Sequence, residues 1–110
     1  MTTLGIDVSS FQNPDAALLS GKAFCIIKMT QGTSYINPNR AQWLSVARGA
    51  GVTVGGYHFM DSGSAATQAD YYLSHLPGTV DWHALDVENS SDGLDWAGRA
   101  AFILDWASRI

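Results

Sequence analysis

With 110 residues, 46% of them hydrophobic and 15% charged, the chain is large enough for one cored domain and too apolar to be disordered. Its net charge of −4 argues against nucleic acid or an anionic membrane as partner, and no apolar run approaches a bilayer-spanning length. The single Cys25 excludes a disulfide framework, and the three histidines are too scattered for a metal site, so no metal and no cofactor is expected.

In chain order, Leu4 to Ser9 reads as a first strand, after an amino terminus that lacks the basic and apolar regions of a signal peptide. Asn13 caps a short helix with Pro14 in its first turn, which runs through Leu19 and stops at Gly21. Ala23 to Met29 is a second, continuously apolar strand holding a buried Cys25, and Thr30-Gln31-Gly32-Thr33 is a turn. A helix from about Asn39 to Ala50 has Trp43, Leu44, Val46 and Ala47 on one broad face, and Gly51 ends it. Val52 to Met60 is a third strand in which Gly55 and Gly56 imply close backbone approach. Ser64 to Leu76 is a helix broken by Pro77-Gly78. Trp82 to Asn89 is a fourth strand, and Leu94 to Ile110 a last helix.

Strands alternating with helices, the strands apolar throughout, imply an α/β fold with a parallel sheet covered by helices. Chemistry in such folds gathers at the carboxyl ends of the strands. Those ends hold Asp7, then Lys28 and Thr30, then Tyr57 to Phe59, then Asp86 and Glu88. Packing gives no reason for polar groups at the same end of four strands. Asp86 and Glu88, at i and i+2, project from one face, and two neighbouring carboxyls resist ionising together. That split suits acid/base chemistry, with one group protonated and the other charged. The plainer reading is a solvated strand end. Among the remaining candidates, His58 reads as a core or supporting histidine, and His75 and His83 as surface or sheet-cover residues. Trp43, Tyr71 and Tyr72 read as core, and Asp61, Asp92 and Asp95 as loop or capping acids. Trp96 and Trp106, ten apart, either pack inward or form an exposed apolar stripe.

Gly5-Ile6-Asp7-Val8-Ser9 with Gln12, Ile27-Lys28-Met29-Thr30-Gln31-Gly32, Gly56-Tyr57-His58-Phe59 and Leu85-Asp86-Val87-Glu88 occur in a telling order. The whole chain resembles the amino-terminal half of a glycoside hydrolase family 25 lysozyme, the Chalaropsis-type muramidases of fungi, bacteria and phages. The resemblance implies a modified β/α barrel that hydrolyses the β-1,4 bond from N-acetylmuramic acid to N-acetylglucosamine in peptidoglycan. Glu88 then matches the proton donor. Asp86 matches the carboxylate that assists the substrate's acetamido oxygen or stabilises the positive charge. Asp7 matches a further site acid, Tyr57 an aromatic lining the groove, and Lys28 a polar residue at the end of the second strand. Gln31 departs from the acidic residue expected before this glycine. In a partly desolvated mouth beside a charged Asp86, Glu88 is expected to hold its proton and act as general acid. Substrate assistance then removes the need for an enzyme nucleophile.

A complete β/α barrel needs roughly 200–250 residues. Residues 1–110 therefore read as a single, partial catalytic domain: four strands of a half or truncated TIM-like barrel, with open edges that favour self-association or a complementary half-barrel chain. The rival to a peptidoglycan hydrolase is an inactive half-barrel that holds glycan or assembles with a second polypeptide. A flavodoxin-like sheet is disfavoured, because Ser9-Ser10-Phe11-Gln12 stands where a glycine-rich phosphate loop belongs. Localisation stays open: the absent signal peptide suits a phage lysin released from the host cytoplasm as well as an intracellular fate.

Overall fold

The computed structural model describes residues 3–88 and 93–110. Strand β1 (Gly5–Val8) is followed by a 3-10 turn (Ala16–Leu19), β2 (Phe24–Gln31) and β3 (Tyr35–Ile36). Helix α1 (Arg40–Gly49), β4 (Thr53–Phe59), α2 (Ala65–Ser74), β5 (Trp82–Asp86) and α3 (Trp96–Arg109) complete the order. The strands β1, β2, β4 and β5 pair in parallel in that spatial order, and β3 pairs antiparallel with β2. The result is a mixed α/β fold with an open parallel sheet, its described edges at β1 and β5.

Alternation along the strands sorts side chains onto two faces. Cys25, Ile27, Met29, Val54 and His58 are fully buried, and Trp43 and Ala47 of α1 with Ala69 and Tyr72 of α2 are buried with them. Each large apolar side chain on that face contributes roughly 1.5–3 kcal/mol by leaving water. The opposite face carries Phe24, Ile26, Tyr57, Trp82 and Ala84, all only half-buried. Among the described residues, the expectation of helical cover therefore holds for one face and not for the other. Gly55 and Gly56 do mark close approach. A Cβ at Gly55 would lie 2.6 Å from the Trp82 ring, and one at Gly56 would lie 2.7 Å from the Tyr72 hydroxyl.

Several boundaries differ from the sequence reading. Asp15, not Asn13, caps the 3-10 turn, because its carboxylate accepts the Ala17 N–H at 2.9 Å. Thr30 and Gln31 belong to β2 rather than to a turn. The two residues of β3 continue the edge beyond the point where β1 ends. A bulge at Met29 leaves Lys28 opposite Tyr57 and Thr30 opposite His58. β5 stops at Asp86, not Asn89, and Asn89 and Asp92 lie outside the described residues. Asp95 does cap the last helix, accepting the Gly98 N–H at 2.7 Å. The two tryptophans of α3 divide: Trp106 is buried against His58 and Tyr72, whereas Trp96 is 77% exposed.

Candidate active site

The helix-free face ends in a cavity of about 230 Å³ lined by Asp7, Ile26, Tyr57, Ala84, Leu85 and Asp86. Three candidates from three strands thus meet in one mouth. Register explains why: Asp7 lies beside Ile26, Tyr57 beside Ala84, and Phe59 beside Asp86. Glu88 sits two residues beyond the end of β5. It is exposed and lines a neighbouring cavity of about 390 Å³ with Val87, Trp96 and Arg99. The expectation of a desolvated Glu88 therefore fails, since the ladder that would hold it stops at Asp86. It still acts on the mouth, because its charge helps to hold the Asp86 carboxyl up.

Electrostatics ties the cluster together. The Asp86 carboxyl is held above its ordinary value, first by burial, then by the neighbouring Glu88 and by Asp7, with Lys28 opposing. Burial, reinforced by Asp7, Asp86, Tyr35 and Glu88, pushes the Tyr57 phenol up to about 12, so it stands as a neutral O–H donor. Burial and then Asp7 push the Cys25 thiol up to about 11, which fits a buried thiol without nucleophilic use.

Lys28 projects onto the site face. Its ammonium donates to Gln31 Oε1 at 2.7 Å and lies 5.0 Å from the ring centroids of both Tyr35 and Phe59. Burial lowers its pKa, while Asp86 and Glu88 raise it. Sequence reading missed Tyr35, whose two-residue strand is too short for any periodicity to register. It also missed the Lys28–Gln31 contact, which depends on the bulge. In a regular strand, residues three apart face opposite ways; one extra residue returns them to the same side.

Thr30 and His58 are not part of the mouth. His58 is fully buried on the helix-covered face, bonded through Nδ1 to Thr30 Oγ1 at 2.7 Å and through Nε2 to Gln68 Oε1 at 2.9 Å. The Gln68 amide nitrogen donates to the Asp61 and Ser62 carbonyls, so its oxygen faces the ring and His58 Nε2 is the donor. The imidazole is neutral and fully bonded, as a core histidine should be. Burial lowers its pKa, aided by Lys28 and opposed by Gln68 and Asp61. Between that lowered value and the unfolded value of about 6.5, the unfolded chain binds more protons. This contribution to stability is therefore present above pH about 6.5 and lost as pH falls toward the folded value. Denaturation midpoints at pH 7.5 and 5.5 check it: wild type should lose more stability between them than His58→Gln does. His83 covers the sheet, sharing a 2.7 Å hydrogen bond with the Tyr72 hydroxyl.

Residues 6–110 match the model of glycosyl hydrolases family 25. The chain is 37% identical to the N,O-diacetylmuramidase of Chalaropsis sp, across 96% of its own length and 56% of the relative's. It is 34% identical to Lysozyme M1 of Streptomyces globisporus, across 81% of its length and 34% of that protein's. The chain thus spans about half or less of the curated relatives it matches. In three dimensions it superposes on a muramidase from Trichobolus zukalii with a TM-score of 0.86 at 33% identity, covering 98% of this chain and 59% of that one. A lysozyme from Streptomyces coelicolor gives 0.85 at 30% identity, with 98% and 57% covered. The chain belongs to glycosyl hydrolases family 25.

Proposed function

We propose that residues 1–110 form part of a muramidase domain, four strands of a β/α barrel, acting on the β-1,4 bond between N-acetylmuramic acid and N-acetylglucosamine in peptidoglycan. The observation that carries this reading is the convergence of Asp7, Tyr57 and Asp86 on one mouth, with Glu88 close enough for its charge to act on Asp86. Glu88, nearer solvent, gives a proton to the oxygen of the departing sugar. Asp86, left charged, orients the acetamido group so that its oxygen attacks the anomeric carbon, and Asp7 adds negative potential opposite the developing positive charge. Tyr57 offers its O–H and ring edge to the glycan. The half-buried Phe24, Ile26 and Trp82 and the open edges at β1 and β5 support completion of the barrel by further strands. The matched relatives are longer than this chain, which leaves length for such strands.

The test is incubation of the 110-residue chain with purified peptidoglycan, followed by mass spectrometry of the released fragments. Fragments with muramic acid at the new reducing end support the reading. Fragments ending in glucosamine, or peptide release alone, would overturn it.

A further inference from the structure

The geometry points to Trp96 as the platform for the leaving sugar, an N-acetylglucosamine ring stacked on its indole just beyond Glu88. The identity of that sugar rests on the muramidase reading; the capacity of the indole to bind a pyranose does not. Three features carry it. Trp96 is 77% exposed at the start of α3, whereas Trp106 of the same helix is buried. It lines the cavity of about 390 Å³ shared with Val87, Glu88 and Arg99, a volume that falls among small-ligand sites of roughly 300–1,000 Å³. The Arg99 guanidinium, itself buried, lies over the indole at 5.1 Å from the ring centroid and fixes its plane from one side. With one face taken, the exposure of Trp96 falls on the other face and the ring edges.

Topology orders the two cavities. A helix that follows a parallel strand begins at the end where the strand stops, so the first residue of α3 stands on the rim of the mouth. β5 delivers Asp86 to the first cavity, and Glu88, two residues on, lines the second with Trp96. In the proposed reaction the anomeric carbon sits by Asp86 and the leaving oxygen by Glu88. The sugar attached to that oxygen therefore extends into the second cavity. A β-1,4-linked N-acetylglucosamine carries its substituents equatorially, so its ring faces present axial C–H groups, which suit the negative face of an indole. Leu104, also exposed, lies eight residues further along α3, about 12 Å from Trp96, and lines neither cavity. It is the comparison that separates a sugar platform from a general apolar stripe.

Titration of the 15N-labelled 110-residue chain with chitotriose, a trimer of N-acetylglucosamine, tests this through the indole N–H signals. Trp43, Trp82, Trp96 and Trp106 give four such signals, and that of Trp96 is the one lost in Trp96→Phe. The Trp96 signal is expected to move most, and to saturate. In wall hydrolysis, Trp96→Ala should raise KM about 3- to 10-fold with kcat near wild type, as loss of a uniform stacking contact does. Trp96→Phe should recover most of that loss, and Leu104→Ala should match wild type. A Trp96 signal that ignores the sugar, or moves only with protein concentration, would overturn the proposal; the second result would mark the ring as a contact between chains. An unchanged KM in an active Trp96→Ala chain would overturn it too. No hydrolysis by any chain, with the Trp96 signal still moving, would sink the hydrolase reading and leave the sugar platform standing.

Discussion

Glu88→Gln is expected to lower cell-wall hydrolysis by about 10²–10⁴-fold, the usual contribution of a positioned general acid. The substitution keeps shape and polarity but removes the transferable proton. An unactivated sugar oxygen is a poor leaving group, so loss of the acid should be felt in full on peptidoglycan. An aryl glycoside leaves as a stable phenolate and needs little protonation, so the same variant should lose far less on such a substrate. Asp86→Asn should lose activity on both, because assistance to the acetamido group is needed whatever departs. Reducing-sugar release and aryl-glycoside cleavage, compared across the two variants, separate the roles. Equal losses for Glu88→Gln on both substrates would remove it as the acid. The exposure of Glu88 suits this role, since a donor to the outgoing sugar must face the side from which product leaves.

Trp43→Ala should destabilise the chain by about 3–5 kcal/mol, the usual result of deleting a large buried aromatic. Native domains of this size hold only about 5–15 kcal/mol in total. Trp43 is fully buried between the sheet and α1, and its indole N–H donates to the Gln12 carbonyl at 3.2 Å. Gln12 in turn accepts the Ser9 N–H at 2.8 Å, so one side chain pins both the core and the segment that leaves β1 beside Asp7. Trp43→Phe keeps most of the apolar contact and loses that hydrogen bond, and should cost about 1–3 kcal/mol. Urea unfolding gives the comparison directly: the midpoint should fall in both variants, with an unchanged slope. Equal midpoints for Trp43→Ala and wild type would show that this side chain does not hold the core.

The α/β alternation, the parallel strand order and the positions of Asp7, Lys28, Tyr57 and Asp86 at the strand ends were readable in the chain itself. Apolar runs of strand length, helical faces such as that of Trp43 and Ala47, and the stops at Gly21, Gly51 and Pro77-Gly78 are local signals, and local signals survive without a partner. The core role of His58 followed from strand alternation, which set it opposite Tyr57, and that of Tyr72 from its helix face. The site's finer features had no such signature. β5 ends at Asp86 because pairing with β4 ends there, so the exposure of Glu88 depends on a neighbour's length rather than on its own sequence. The bulge that brings Lys28 to Gln31, and the short β3 that carries Tyr35 over the ammonium, exist only once β2 is paired on both sides. Hydrophobic period and breaker residues are written along the chain. Which strand stops first, and where a ladder slips by one residue, are decided between strands, and those decisions set the geometry of the acids.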